Sequence, residues 1–405
     1  GSFLETQELS EESLALMRKV VAAEPGRLDW KRTLTVSMDW ASSLRESAGR
    51  RQEAEVLSEE CVAVMRELVA AEPGRLDWRS DLAHSLNGRS YLMESLGRGA
   101  EAEALVEESR GLMRELVATE PRRLDWKSSL ADFLVRLSSL RNAVGRGAEA
   151  EDLEESLGLM RELVTAEPER SDWKSDLTDV LAFLGDLRAT AGRDADAKDL
   201  LEECLALRRQ LVAAEPKSLR WRRALAYALD GMGALSARSG RGIEAESFQE
   251  ESAALMREYV AAAPESLLAR RELAAVLVSL GISRLNVGRK AEAETLLEES
   301  LALRRDLVAS DPGRVDWRND LSLSLFAASR ARERSGNLMG ALAAAQEEIV
   351  IVRELLKSSP DCLEYRRHFI ASVERTSVLL DQSGEVEAAA ELRLELSELH
   401  GRSGT

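Results

Sequence analysis

The side chains that could do chemistry are few and widely spaced along the chain. The sequence contains three histidines, His84, His368 and His400, and three cysteines. A metal site needs several such ligands to converge, and these histidines fall in well-separated segments. No GxxxxGK[ST] phosphate loop, HExxH, CxxC or GxSxG motif is present. These observations argue against an enzyme, and we expect no catalytic, cofactor or metal site.

The remaining candidates for chemistry are recurrent. Paired glutamates such as Glu107 and Glu108 appear in nearly every unit of the chain. A carboxylate pair for acid–base catalysis would occur once, so we interpret these pairs as a solvated helix face. Cys61 and Cys204 take positions that hold serine in other units, which predicts small buried residues with free thiols. Three cysteines are too few for a disulfide scaffold, and a reducing cytoplasm is the expected location.

The elements that would position any site follow a strict period. The eight prolines recur about every 48 residues, and a single interval, from Pro121 to Pro168, is shorter by one. A glycine stands midway between successive prolines, as Gly97 does, and an alanine always follows it five positions later, as Ala102 does. Such regularity indicates one supersecondary unit copied in tandem.

Each unit divides into two helical segments. After Trp78, apolar residues follow at Leu82 and Leu86, the i, i+4 spacing of one helical face. The glycine suits the left-handed residue that ends a helix, and the proline stops the next one. We predict 17 helices and no strand. In the shorter interval one residue is missing after Leu153, which predicts a distortion at residues 153–156.

The combined pattern resembles the tetratricopeptide repeat, whose usual unit is about 34 residues long. The residues that carry the resemblance are Leu280, Gly281, Gly288, Ala293 and Pro312. The resemblance implies an all-α fold, a right-handed superhelical α-solenoid of helix-turn-helix repeats, with the first helix of each pair lining a concave face. The position at which the family has tyrosine is mostly arginine here: Arg45, Arg141, Arg188, Arg284 and Arg332.

The repeat also predicts a domain plan. Residues 1–2 are interpreted as an expression scar and 3–24 as the second helix of a truncated repeat. Seven full helix pairs would span 25–359, and a shortened repeat with a tail 360–405. A start within a unit suggests a segment cut from a longer protein, and 47 arginines against 8 lysines suggest a bacterial source.

Charge limits the class of partner. The net charge of −17 and a pI near 5.0 oppose binding to a phosphate backbone. No apolar run approaches the roughly 18 residues that a membrane span needs, so we expect no membrane association. The predicted partner is a protein or peptide with a basic or amphipathic segment.

By the family alignment, four positions of each first helix face inward, those of His84, Asn87, Tyr91 and Glu94 in the unit that follows Pro73. The earlier units place polar or acidic candidates at such positions: His84, Tyr91, Asp132, Asp179 and Asp186. Two later units place an apolar patch bordered by arginine: Val278, Ile282, Leu285, Leu323, Phe326 and Arg330. An exposed apolar patch beside an acidic trough is typical of a groove for an amphipathic helix or extended peptide. The patch could instead pack against itself or another copy.

Three functions follow from these features. The first is a non-catalytic protein–protein interaction scaffold that binds a partner on its concave face. The second is a regulatory or sensor arm of a larger bacterial signalling or defence protein that carries a kinase, caspase-like peptidase or NTPase domain. The third is a self-assembling structural array.

Overall fold

The structure is a computed structural model that describes residues 3–143, 151–359 and 362–402. Within these ranges the chain forms seventeen α-helices and no strand, as the sequence predicts. We call the even-numbered helices first helices and the odd-numbered helices second helices. The bounds are α1 Phe3–Ala23, α2 Leu28–Ser47, α3 Arg51–Ala71, α4 Leu76–Ser95, α5 Gly99–Thr119, α6 Leu124–Ala143, α7 Glu151–Ala166, α8 Ser171–Thr190, α9 Asp194–Ala214, α10 Leu219–Arg238, α11 Gly242–Ala262, α12 Leu267–Asn286, α13 Lys290–Ser310, α14 Val315–Ser335, α15 Leu338–Ser358, α16 Leu363–Ser383 and α17 Val386–Arg402.

The periodic glycines end the first helices. All seven that the structure describes have φ between 73° and 89°, the left-handed region that glycine enters without a Cβ clash; the eighth, Gly145, lies outside the described residues. After α2, the Arg50 N–H donates to Arg45 O at 2.8 Å and the Gly49 N–H donates to Glu46 O at 2.9 Å. This is a Schellman motif, and it satisfies carbonyls that the helix end would leave unpaired.

At the start of a typical first helix, an arginine contacts both an aspartate and a tryptophan of the first turn. Arg75 donates two hydrogen bonds of 3.0 Å to Asp77, and its guanidinium lies 4.4 Å from the Trp78 ring centroid. The same contact between arginine and tryptophan recurs at α2, α6, α8 and α14. Asp77 thus places a carboxylate in the first turn of α4, and Trp78 is buried in the seam between helices.

Small residues let the two helices of a pair approach closely. The signature alanine Ala293 is fully buried, and a Cβ added to Gly281 would meet Leu297 Cγ at 3.0 Å. Where serine replaces that glycine, as at Ser42, the hydroxyl donates to Ala54 O at 3.0 Å. Cys61 is buried as a free thiol, and burial raises its pKa above the ordinary value.

The predicted distortion at residues 153–156 is wrong for the described part of α7. Leu153, Ser156, Met160 and Leu163 are all buried at 3-4-3 spacing, and the helix is α-helical over Glu151–Ala166. Ser156 also donates to Ala131 O at 3.0 Å, as Ser252 does to Ala226 O in a full-length unit at 2.8 Å. The seam is therefore in register from Leu153 onward, and Leu153 takes the buried position that Val106 holds in the preceding unit.

The chain divides into two compact units, Gly1–Arg193 and Asp194–Thr405. Their boundary is another interhelix turn, in which the Arg193 N–H donates to Arg188 O at 2.8 Å. Within each unit, consecutive helices pack on each other. First helices also contact the next first helix, α2 with α4 in the first unit, and α10 with α12 and α12 with α14 in the second.

Candidate protein-binding site

Three first helices of the first unit, α4, α6 and α8, share a groove of about 480 Å³, which we call the Asp132 groove. Four residues predicted from the inner positions line it together: His84, Tyr91, Asp132 and Asp179. The fifth, Asp186, lies further along α8, is exposed, and is not among the lining residues. Because residues of all three helices line it, the groove runs across the helices rather than along one of them.

His84 is oriented by its neighbours at one end of the Asp132 groove. Its Nδ1 lies 2.8 Å from Ser80 O, so Nδ1 carries the proton and donates to that carbonyl. Its Nε2 lies 3.0 Å from Ser129 Oγ, within hydrogen-bond distance of that hydroxyl. The ring meets Phe133 edge-to-face, with the centroids 5.5 Å apart. His84 is thereby fixed as a polar wall of the groove.

Tyr91 supplies an exposed aromatic surface. Its side chain is 51% exposed, while the Arg136 guanidinium lies 3.9 Å from its ring centroid. Arg136 is itself buried and forms an ion pair of 2.7 Å with Glu94. The positive charge nearest the groove is therefore already neutralised.

Asp132 is the electrostatic centre of the groove. Desolvation raises the pKa of its carboxyl group to about 6, and the nearby Asp176 carboxylate adds to the shift. A hydrogen bond or cation that stabilised the ionised form would lower the pKa, and neither is found among the described residues. Near pH 7 the groove therefore holds a carboxylate that protein groups do not compensate.

The apolar patch predicted in the second unit is only partly present. Ile282 and Leu323 are 40% and 48% exposed, and Val278 is half-buried. The prediction for Leu285 is wrong, since it is 7% exposed and packs in a core cluster with Leu325. Three residues along a helix differ by about 300°, which is 60° in the other direction, so Leu285 lies on the edge of the face that holds Ile282 and turns into the core.

Phe326 lines a different groove from the other patch residues. This groove of about 360 Å³, the Phe326 groove, lies between α14 and α16 and includes Arg330, Arg375 and Val378. Phe326 is half-buried, and the two guanidiniums lie 5.8 and 5.7 Å from its ring centroid. Arg330 lies beside Phe326 in this groove, but Val278, Ile282 and Leu323 are not among the residues that line it.

The second helices carry a ladder of ion pairs on their solvated face. Within each unit, the second glutamate of a pair accepts from an arginine of the preceding second helix, as Glu108 does from Arg66 at 2.7 Å. The same pairing occurs six more times: Arg18–Glu60, Arg114–Glu155, Arg209–Glu251, Arg257–Glu299, Arg305–Glu347 and Arg353–Glu395. The Glu-Glu pairs do lie on a solvated face, and the structure adds that their second glutamates are ion-paired there.

Five arginines at the family's tyrosine position form ion pairs with the first glutamate of a Glu-Glu pair. Arg45 contacts Glu11 at 2.7 Å, and Arg284 contacts Glu250 at 2.5 Å. The equivalent pairs are Arg141–Glu107, Arg188–Glu154 and Arg332–Glu298. An ion pair between a first helix and the preceding second helix thus stands where the family uses an aromatic contact.

Sequence reasoning missed a buried polar cluster in the second unit. Glu348 is fully buried, receives a hydrogen bond from Ser372, and lies 3.0 Å from His368 Nε2. Its Oε2 has no hydrogen-bond partner among the described residues. Glu348 stands at the position held by Ser252 and Ser300 in earlier units. Aligning the repeats therefore shows a glutamate in place of a buried serine, and this was the available signal.

Sequence reasoning also missed Asp176 and Phe133 in the Asp132 groove. Both lie outside the four inner positions used for prediction, three positions before Asp179 and one after Asp132. The signal for Asp176 was available, since Asp81, Glu272 and Asp320 stand at the same place in other units. In those units the acid pairs with an arginine of the preceding first helix.

No described helix combines the length and apolar character needed to cross a bilayer. In the same residues, no three histidine, cysteine, aspartate or glutamate side chains converge as metal ligands would.

Comparison with known families agrees with the helix-pair architecture. Residues 273–312, which include Gly281 and Ala293, match a tetratricopeptide repeat model. Residues 273–312 are therefore a tetratricopeptide repeat within this array of helix pairs. No curated protein matches it.

Solved structures of other tetratricopeptide-repeat and helical-repeat proteins resemble the fold. A signal transduction ATPase with numerous domains and a tetratricopeptide repeat sensor, from Pyrococcus horikoshii, is 11% identical with a TM-score of 0.52; the match covers 96% of this chain and 52% of that one. The apo form of RapI is 11% identical with a TM-score of 0.52, covering 90% and 99%. BtubC from P. vanneervenii is 19% identical with a TM-score of 0.46, covering 62% and 90%. At these identities the likeness concerns the fold alone.

Proposed function

We propose that this tetratricopeptide-repeat protein is a non-catalytic scaffold that binds a partner protein or peptide through its first helices. The observation that carries the proposal is the Asp132 groove, in which residues from three successive repeats meet. Tetratricopeptide-repeat domains commonly bind proteins, and a groove shared by several repeats suits an extended or helical segment.

The second helices are a poor alternative for the binding surface. Their exposed glutamates and arginines satisfy each other along the ladder, as Arg66 and Glu108 do. A partner would have to break these pairs before it gained its own contacts. The groove offers an exposed aromatic ring at Tyr91 and an uncompensated carboxylate at Asp132, so binding there displaces no ion pair of Asp132.

Site-specific photocrosslinking tests this proposal. A photoreactive amino acid replaces Tyr91 in the groove or, as a control, Gln52, which is exposed on the second helix α3. We expect a protein captured from Tyr91 and not from Gln52. That protein, once purified, should bind the wild-type chain and lose affinity for Tyr91→Ala. Equal capture from both positions, or unchanged affinity for the Tyr91→Ala variant, would refute the groove as the binding site.

A second candidate is a regulatory or sensor arm of a larger signalling or defence protein. The fold matches to RapI and to an ATPase with a tetratricopeptide repeat sensor support this candidate at the level of architecture. The gene sequence upstream of residue 3 tests whether the chain is such an arm. A kinase, peptidase or NTPase domain encoded in frame, whose activity changes when the Asp132 groove is occupied, would support the sensor function; a gene that encodes only helix pairs would oppose it.

A third candidate is a self-assembling array. The observation that favours it is Leu9 of α1, which is 66% exposed although its counterpart Leu57 in α3 is 2% exposed. The apolar position that is buried in α3 is therefore exposed to solvent in α1. Light scattering across concentration tests the idea, and a constant mass for wild type and for Leu9→Glu would exclude association through this face.

A further inference from the structure

We propose that the Asp132 groove takes a cationic side chain, the arginine or lysine of a basic partner segment, against the Asp132 carboxylate. This inference rests on the proposed scaffold function and names the chemistry of its partner. The groove lies wholly within the first unit, between α4, α6 and α8, so its lining does not depend on the second unit.

The charges that line the groove favour a cation. Three carboxylates, Asp132, Asp176 and Asp179, line it together with one guanidinium, that of Arg136. Arg136 is already paired with Glu94 at 2.7 Å and stacked on Tyr91. Asp132 has no hydrogen bond or ion pair among the described residues, and the Asp176 carboxylate opposes its ionisation. A partner cation would relieve this repulsion.

The walls of the groove favour a side chain with an apolar stem over a bare ion. Tyr91, Phe133 and Val135 line the groove beside the carboxylates. Arginine and lysine cover apolar surface with their methylene groups and keep the charge at the tip. A metal ion would need several convergent ligands, and no group of three such side chains meets that requirement in the described residues. A neutral or acidic segment would leave the Asp132 charge uncompensated.

Binding should be linked to pH. In the free protein the Asp132 carboxyl has a pKa of about 6, so the group is largely neutral at pH 5 and ionised at pH 7. A cation binds the ionised form, and affinity therefore rises with pH through this range. If the bound carboxyl stays ionised throughout, the gain is about 10-fold between pH 5 and pH 7. The other titratable or charged residues lining the groove are His84 and Tyr91 from α4, Arg136 from α6, and Asp176 and Asp179 from α8; α7 contributes only Met160.

Fluorescence anisotropy with defined peptides provides the test. The probes are three capped, labelled dodecapeptides in which leucine alternates with arginine, with neutral citrulline or with glutamate. Each is titrated at pH 5 and pH 7, at one ionic strength, into wild type, Asp132→Asn, Asp176→Asn and Asp199→Asn. Asp199 is exposed on α9, so its substitution gives the same charge change away from the groove. His84→Gln controls for the imidazole, and thermal melting confirms that each variant is folded.

The expected result is that the arginine peptide binds wild type and Asp199→Asn about 10-fold more tightly at pH 7 than at pH 5. Asp132→Asn should lose most of this pH dependence and about 10-fold or more of the affinity at pH 7, while His84→Gln should retain the pH dependence. Asp176→Asn should lower the pH at which affinity rises, because the carboxylate that opposes ionisation of Asp132 is gone.

Two results would overturn the inference. The arginine peptide could bind Asp132→Asn as tightly as wild type, which would mean general attraction to an acidic protein. Alternatively, the citrulline or glutamate peptide could bind wild type as well as the arginine peptide does and lose affinity for Tyr91→Ala. In that case the groove is a binding site without cation preference, so the scaffold function stands while this inference fails.

Discussion

Arg66 and Glu108 are 42 residues apart in sequence, yet Nη2 of the arginine lies 2.9 and 2.7 Å from the two carboxylate oxygens of the glutamate. The pair joins α3 to α5, two second helices that belong to successive repeats. Its equivalents recur within each of the two units, where the same position of one second helix contacts the next second helix. The glutamates on this face of the second helices are therefore paired with arginines. The Asp132 carboxylate, which has no such partner, lies on a first helix.

A double-mutant cycle on Arg66→Ala and Glu108→Ala measures what one pair of the ladder contributes. Both side chains are about half exposed, so we expect a coupling free energy of about 0.2–1 kcal/mol. The coupling should shrink in about 1 M NaCl, where charges are screened over about 3 Å. Urea unfolding of the four proteins provides the free energies, and a coupling that is insensitive to salt would show that the contact is not electrostatic.

Leu285→Ala and Ile282→Ala separate core from surface on one helix. Leu285 is buried, so its truncation should cost about 2–5 kcal/mol of unfolding free energy. Ile282 is 40% exposed and should cost clearly less. Chemical denaturation of both variants decides, and equal losses would contradict the assignment of Leu285 to the core.

Phe326→Ala should lose less unfolding free energy than Leu285→Ala and more than Ile282→Ala, because the Phe326 ring is half-buried. We expect a loss below the roughly 3–5 kcal/mol typical of a fully buried phenylalanine. If the Phe326 groove also anchors a partner, affinity for that partner should fall by about 1–3 kcal/mol. Calorimetry of the free and bound variant measures both quantities; a full core-like loss of stability with unchanged affinity would remove Phe326 from the binding surface.

The turn glycines make a matched comparison possible. Gly97 has φ +76°, so Gly97→Ala should cost about 1–2 kcal/mol through backbone strain. Gly74 also has open space around its Cα but lies outside the left-handed region, and Gly74→Ala should leave stability unchanged or slightly higher. Thermal melts of the two variants test the prediction, and similar melting temperatures would show that the turn relaxes.

Asp230 predicts a pH-dependent stability. Burial raises the pKa of its carboxyl group from 3.8 to about 6, and the Ser279 hydroxyl at 3.4 Å offsets only part of this shift. The folded state therefore favours the neutral acid, and this stability is present below about pH 4 and lost as pH rises through 6. A shift of about 2 units corresponds to at most ~3 kcal/mol. Asp230→Asn should melt higher than wild type at pH 7.5, and the difference should disappear at pH 4.

The buried Glu348 predicts a rescue. His368→Ala removes the imidazole 3.0 Å from a fully buried carboxyl group and should destabilise by about 3–5 kcal/mol. Adding Glu348→Ser, which restores the serine found at this position in earlier units, should recover most of the loss. Denaturation of the single and double variants measures it, and a double variant as unstable as His368→Ala would show that His368 acts through packing rather than through Glu348.

The sequence by itself determined the helix pairs, their turns and the seam residues. Gly49 and its equivalents end helices through a local backbone preference, and Ala293 packs through its small size, so the repeat period was enough to place them. These features depend on residues close in sequence or on one repeated contact, which periodicity displays directly.

Only the tertiary structure decided which surface residues meet. Leu285 and Ile282 both fit an inner position, but the rotation of α12 buries one and exposes the other. Arg66 and Glu108, like Asp132 and Asp176, belong to different repeats, and the sequence pattern does not state which of several charged neighbours each will face. Such pairings depend on helix rotation and spacing across repeats, and charged side chains have no local preference that encodes them.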